Sequence, residues 1–176
     1  MSSDLDSDQV FTGIYDMFVE NLHHAKQYFE AFDRYDTRME GWFHGQMLIL
    51  LSQESRQGWR LLTVNKKVDD DGGRPDLRIL SGQQRLRIEI KSMIIDSRTL
   101  SMYFRKSFGK DLRKMRASRE PMRLITVAFP ITDEGKWKEL VDRVNNEYES
   151  SPYCSEDISY PPDRKARVTM WKKEKS

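Results

Sequence analysis

The sequence predicts an α/β domain in which about five strands form one sheet flanked by helices. Segments with helical spacing of apolar residues and short strand-like segments follow one another in the order helix, helix, three strands, helix, strand, helix, strand. The 176 residues are 38% hydrophobic and 11% aromatic, which suffices for one core of ordinary density. We therefore expect a single compact core.

Two helices are predicted before the first strand. Apolar residues recur at helical spacing over residues 10–32, which predicts one long amphipathic helix that Asp6 and Ser7 can cap. The following segment, DTRMEGWFHGQMLILLSQES, is too apolar for a surface helix and too long for a typical strand. It predicts a second, largely buried helix.

Three strands of an antiparallel meander are predicted next. The segments WRLLTV, PDLRIL and RLRIEIK are separated by the turn-rich stretches NKKVDDDGGR and SGQQ. In the third segment aliphatic residues alternate with charged ones, and a period of two places Glu89 and Lys91 on the same face.

The second half of the chain is predicted to alternate helices and strands. Residues 100–117 form a basic helix with Gly109 in its middle, MRLITVAF a buried strand, DEGKWKELVDRVNNEYE an amphipathic helix, and ARVTMW a last strand. Residues 150–164 are rich in proline and polar residues, which predicts a long loop.

Composition limits the class of protein. A formal net charge of +2 with 33% charged residues means that any anionic partner must be attracted by local clusters. The single cysteine, Cys154, excludes an internal disulfide and a cysteine-based zinc site. No apolar stretch approaches membrane-spanning length, and the acidic N-terminus lacks a signal-peptide pattern. We expect a cytoplasmic protein without a membrane partner.

Two carboxylates are predicted to meet at one edge of the meander. Asp76 opens one strand, and Glu89 and Lys91 close the next, thirteen and fifteen residues later. In a hairpin the start of one strand lies beside the end of the other, so Asp76 and Glu89 converge. Mg²⁺ and Mn²⁺ prefer such oxygen ligands, together with waters and phosphate oxygens. Lys91 can orient or deprotonate a water, or neutralise negative charge on a phosphate.

These motifs resemble those of the PD-(D/E)XK nuclease superfamily, the restriction-endonuclease-like fold. The resemblance rests on GGRPDLRI, IEIK and a preceding helix with a glutamate near its start, and it covers residues 39–129. It implies a nuclease-like domain over residues 38–176 with a mixed central sheet, and an N-terminal helical extension over residues 1–37 packed on that core.

The resemblance also implies a divalent-metal-dependent nuclease. Asp76 and Glu89 would be metal ligands, Lys91 the catalytic lysine, and Glu40 the helical glutamate that completes the metal site, with Glu54 as its rival. Such an enzyme would hydrolyse phosphodiester bonds of DNA, in restriction, phage defence or repair.

A basic segment follows the Glu-x-Lys strand. Between Arg98 and Arg119 eight basic residues accompany one acid, Asp111. This cluster is either a surface that follows phosphates or a solvated helix face. The residues that would contact nucleic acid are Arg105, Lys106, Lys110, Arg113 and Lys114. An Asp-x-x-Lys pattern, frequent in the corresponding helix of such nucleases, falls on Asp111 and Lys114.

Two other functions remain open at this stage. The same fold can serve as a nucleic-acid-binding module with weak or absent catalysis. The aromatic stripe of the N-terminal helix can also pack against another subunit, in a homodimer or a larger complex. His23, His24 and His44 are interpreted as non-ligands, since adjacent histidines on a helix point about 100° apart.

Overall fold

A computed structural model describes residues 6–35, 39–53, 59–64, 74–95 and 107–174. Its helices and strands, in chain order, are α1 (Ser7–His24), α2 (Lys26–Arg34), α3 (Glu40–Gln53), β1 (Trp59–Val64), β2 (Leu77–Ser81), β3 (Gln84–Ile95), α4 (Phe108–Ala117), β4 (Met122–Ile131), α5 (Glu134–Tyr148), β5 (Ser150–Tyr160) and β6 (Arg164–Lys173).

The six strands form one mixed sheet in the order β1-β2-β3-β4-β6-β5. β3 and β4 are parallel, and every other neighbouring pair is antiparallel. The structure therefore confirms an α/β fold with a mixed sheet flanked by helices, and it confirms the antiparallel β1-β2-β3 meander. Among the described residues the sheet has six strands, one more than the sequence predicted.

Two apolar clusters lie on the two faces of the sheet. Leu86, Ile88 and Ile90 of β3 belong to the cluster that contains the buried residues of α1, α2 and α3. Met93 and Ile95, on the opposite face of the same strand, belong to the cluster of α4 and α5. Because Glu89 and Lys91 share the parity of Met93, they lie on the α4 face.

The N-terminal segment forms two helices, so the prediction of one long helix over residues 10–32 is wrong. The interruption lies at Ala25, whose N–H donates to the carbonyls of Asn21 and Leu22. No proline or glycine marks this position. Beyond this interruption, Phe29 of α2 stacks on Tyr160 and meets Phe129 edge to face, so α2 packs against residues that are distant in the sequence.

The aromatic stripe of α1 packs inside the chain's own core. Phe11, Ile14 and Phe18 are fully buried, and the Tyr15 hydroxyl donates to the carbonyl of Val168 at 2.9 Å. The stripe is therefore not a free surface for another subunit.

The predicted long loop over residues 150–164 is also wrong. Residues 150–160 form β5, which a tight turn at residues 161–163 joins to β6. β5 is an edge strand, where Pro152 is tolerated, and the register shifts between Pro152 and Cys154.

The basic helix is shorter in its described part than the predicted range of residues 100–117. α4 begins at Phe108, so Gly109 lies in its first turn rather than in its middle, and residues 100–106 lie outside the described residues. Within the ranges given above, no helix has the length and apolar content needed to cross a membrane.

Candidate active site

The β2-β3 hairpin brings Asp76 and Glu89 together, as the sequence predicted. Gly82, at φ 56°, allows the two-residue turn that pairs Ser81 with Gln84 and, farther along, Leu77 with Ile88. Asp76 precedes Leu77 and Glu89 follows Ile88. The two carboxyl groups lie close enough for the charge of Asp76 to raise the pKa of Glu89.

Burial and proximity make these two carboxyl groups unequal. Glu89 is only 4% exposed, and burial together with the neighbouring Asp76 charge raises the pKa of Glu89 to about 8. Burial also disfavours the Asp76 carboxylate, but hydrogen bonds from His44 and from the Ile90 amide outweigh it and lower the pKa of Asp76. The pair therefore holds a proton on Glu89 when no cation is bound.

His44 belongs to the site, although the sequence analysis set it aside. Its Nε2 lies 3.1 Å from Asp76 Oδ2 and 3.2 Å from the carbonyl oxygen of Ile90. Burial lowers the pKa of His44, but the Asp76 carboxylate raises it more, so the net shift is upward. His44 lies four residues after Glu40 on α3, and this spacing was the available signal that both share a helix face.

Lys91 reaches carboxylates from two helices. Its Nζ lies 2.9 Å from Glu40 Oε1 at the start of α3 and 3.4 Å from Asp111 Oδ2 in α4. Burial alone would lower the pKa of Lys91, but contacts with Glu40 and Asp111 raise it above its ordinary value. The side chain is 14% exposed and is held as an ammonium ion.

Asp111 and Lys114, one turn apart on α4, extend this network to Glu89. Lys114 Nζ lies 3.1 Å from both Asp111 Oδ1 and Glu89 Oε1. The Asp111 side chain is only 7% exposed, so its charge depends on Lys91 and Lys114 for compensation.

Glu40 is the least enclosed of the four predicted site residues. Its side chain is 39% exposed and forms an ion pair with Lys91. Its rival, Glu54, lies outside the described residues. Within the described ranges, no three His, Cys, Asp or Glu side chains stand as a ready-made metal-binding group.

A second charged group lies beside the site on the same sheet face. Arg78 and Arg87 are directly opposite each other on β2 and β3, and both bind Glu120, which precedes β4. Arg87 Nε donates to Glu120 Oε2 at 2.6 Å. The sequence carried no local signal for this group because its members are 33 or 42 residues apart from Glu120.

The predicted nucleic-acid surface is described only in part. Lys110 and Arg113 are exposed on α4, Lys114 takes part in the network above, and Arg105 and Lys106 lie outside the described residues. Near the C-terminus, Lys165 and Arg167 form ion pairs with Asp157 and Glu134, so the positive charge of these two residues is compensated.

No protein-family model, curated protein or solved structure matches this chain.

Proposed function

We propose that this chain is a divalent-metal-dependent nuclease that hydrolyses phosphodiester bonds of DNA, in restriction, phage defence or repair. The observation that carries this proposal is the pair of neighbouring carboxyl groups of Asp76 and the buried Glu89, with Lys91 on the same strand face as Glu89. Two carboxyl groups in mutual contact are costly unless a proton or a cation lies between them.

Charge balance supports a divalent cation at this position. The contact network joins four carboxylates to two ammonium groups and His44, so with every carboxylate ionised it carries two uncompensated negative charges when His44 is neutral and one when His44 is protonated. The carboxylates are Glu40, Asp76, Glu89 and Asp111, and the ammonium groups are Lys91 and Lys114. One Mg²⁺ or Mn²⁺ would balance the two charges left when His44 is neutral, and both ions favour oxygen ligands of this kind.

Asp76 and Glu89 would hold the metal, with waters and a phosphate oxygen as its remaining ligands. Glu40, exposed enough to turn away from Lys91, is proposed as a third protein ligand. A bound metal supplies polarisation of the phosphate and a water of lowered pKa.

Lys91 is proposed to act as a cation rather than as a base. Its raised pKa keeps the proton on Nζ at neutral pH, so the ammonium can offset charge that develops on the phosphate oxygens. Asp111 and Glu40 orient this ammonium from two sides, and His44 orients Asp76.

The second candidate is a nucleic-acid-binding module with weak or absent catalysis. The observation that favours it is the pairing of the candidate ligands Glu40 and Glu89 with Lys91 and Lys114 rather than with each other in a three-carboxylate cluster. In a binding module of this kind, Lys91 and Lys114 would remain paired with Glu40 and Glu89 and would neutralise their charges.

A cleavage assay separates the two candidates. Purified protein is incubated with circular DNA, linear duplex, single strands and RNA, in Mg²⁺ or Mn²⁺ and in EDTA. We expect metal-dependent cleavage that is lost in Asp76→Ala and Lys91→Ala and retained in Lys138→Ala, which removes an exposed charge of α5. Binding without cleavage under every metal would favour the binding module.

A further inference from the structure

A small cavity lies directly beside the candidate metal position. Its volume is about 150 Å³, and its walls include Arg74 and Pro75 before β2, Arg87 and Glu89 of β3, Lys114 of α4, and Met122. Glu89 belongs both to this cavity and to the carboxyl pair with Asp76. A group bound in the cavity would therefore lie next to the reacting phosphodiester.

Cations outnumber anions in the cavity wall. Arg74, Arg87 and Lys114 face a single acid, Glu89. Arg74 is exposed at the edge of the cavity and forms no ion pair with the described residues. Arg87 is only 5% exposed and is anchored by Glu120, so it is a fixed charge rather than a mobile one. Glu120 compensates Arg87, and Asp111 and Glu89 compensate Lys114. Arg74 is the cation of the wall that has no carboxylate partner among the described residues, so it remains to bind an anion, and its planar guanidinium group suits phosphate oxygens.

The size of the cavity selects a small anion. Pockets for drug-sized ligands span about 300–1,000 Å³, and a water occupies about 30 Å³ of liquid. A volume of about 150 Å³ thus accepts a phosphate group and part of a sugar, but not a whole nucleoside. The buried Met122 forms part of the wall, and a phosphate at the end of a strand has only one attached nucleoside to place outside the cavity.

We propose that this cavity binds the terminal phosphate of a nucleic-acid strand and so directs hydrolysis to strand ends. The inference rests on the proposed nuclease function and adds a substrate class to it. Arg74 and Arg87 are its specificity-determining residues, and the first phosphodiester inward from the end would meet Asp76 and Glu89.

Binding of short oligonucleotides tests this assignment without catalysis. Fluorescence anisotropy in EDTA compares the same oligonucleotide with a 5′-phosphate, with a 3′-phosphate and with hydroxyl groups at both ends. We expect one phosphorylated form to bind at least about tenfold more tightly than the hydroxyl form, a difference of about 1.4 kcal/mol.

Two variants distinguish binding of a phosphate in the cavity from general electrostatic attraction of the oligonucleotide. Arg74→Ala, at an exposed position, should abolish the preference for the phosphorylated end. Lys110→Ala, the matched control, removes one exposed charge of α4 outside the cavity wall and should weaken both oligonucleotides equally. Equal binding of phosphorylated and hydroxyl ends by the wild type, or binding of inorganic phosphate without an end preference, would overturn the assignment.

Cleavage of circular DNA, which has no terminal phosphate, distinguishes failure of the cavity assignment from failure of the proposed nuclease function. Cleavage of circular DNA combined with equal binding of all oligonucleotide ends would refute the cavity assignment alone. No cleavage of any DNA, combined with a retained end preference, would refute the nuclease and leave the cavity as a strand-end binding site.

Discussion

Replacement of Glu89 with glutamine should stabilise the metal-free protein while it removes metal binding. The pKa of Glu89 is about 8, against about 4.5 in an unfolded chain, so between these values only the native state holds the proton. Native stability must therefore decrease as pH rises from 4.5 to 8. Glutamine cannot ionise and avoids this loss.

The size of the stabilisation expected for Glu89→Gln follows from the rise in the pKa of Glu89. Each pKa unit corresponds to about 1.4 kcal/mol, and the rise from 4.5 to about 8 already includes the opposing effect of Lys114, so a few kcal/mol is the expected order. For a chain of 176 residues this raises Tm by roughly 5–10 °C. Thermal unfolding in EDTA should give equal Tm values for both proteins near pH 5 and a gap that grows toward pH 9.

Mg²⁺ should make the wild type the protein with the higher Tm. It should raise the Tm of the wild type and leave Glu89→Gln unchanged, since the variant lacks one of the two proposed ligands. Glu139→Gln, which removes an exposed carboxylate of α5, serves as the matched control and should move Tm little at any pH. A variant no more stable than the wild type at pH 9 in EDTA would refute the reasoning about the Asp76–Glu89 pair.

Three further outcomes follow from the same geometry. Lys91→Ala should lower the single-turnover cleavage rate by at least about 100-fold at saturating metal, because it removes a preorganised cation; a rate within threefold would contradict this. Asp111→Asn should lower the free energy of unfolding by about 3 kcal/mol in urea titrations, because it leaves two lysines without their shared carboxylate. Glu120→Gln should lower it by about 2 kcal/mol at pH 7. Since Arg78 and Arg87 lower the pKa of Glu120 against the opposing effect of burial, this difference should persist above pH 4.5 and vanish as pH falls below the native pKa; a constant difference would exclude an ionic origin.

Local sequence patterns predicted the strands near the site because the residues of these strands and of their turn favour those conformations without help from distant residues. The alternation of Leu86, Ile88 and Ile90 matches a strand whose two faces meet different layers, and the short turn at Gly82 determines the hairpin register. The register then fixes the meeting of Asp76 and Glu89. This part of the geometry needs no information from distant residues.

The misassigned elements depend on packing between distant residues. β5 contains Pro152 and several polar residues that would disfavour a central strand, but it lies at the sheet edge and pairs with β6. The helix is interrupted at Ala25, and α2 beyond it contacts distant residues, since Phe29 packs against Phe129 and Tyr160. Neither the strand β5 nor the helix interruption can be recognised from the residues of its own sequence segment alone.

The same limit applies to the site. Lys91 and Glu89 were predicted on one strand face, but their partners come from other elements, namely Glu40 from α3 and Lys114 from α4. His44 was set aside because it was considered with His23 and His24 rather than with Glu40, four residues before it. The assembly of these groups depends on the packing of α3 and α4 against β3.

Manganese binding tests the central claim most directly, namely that Asp76 and Glu89 form one divalent-cation centre. Calorimetric titration of Mn²⁺ at pH 7.5 should give binding to the wild type that is weakened at least about tenfold in both Asp76→Asn and Glu89→Gln, and unchanged in Glu139→Gln. Equal affinity in the wild type and the two site variants would contradict the account.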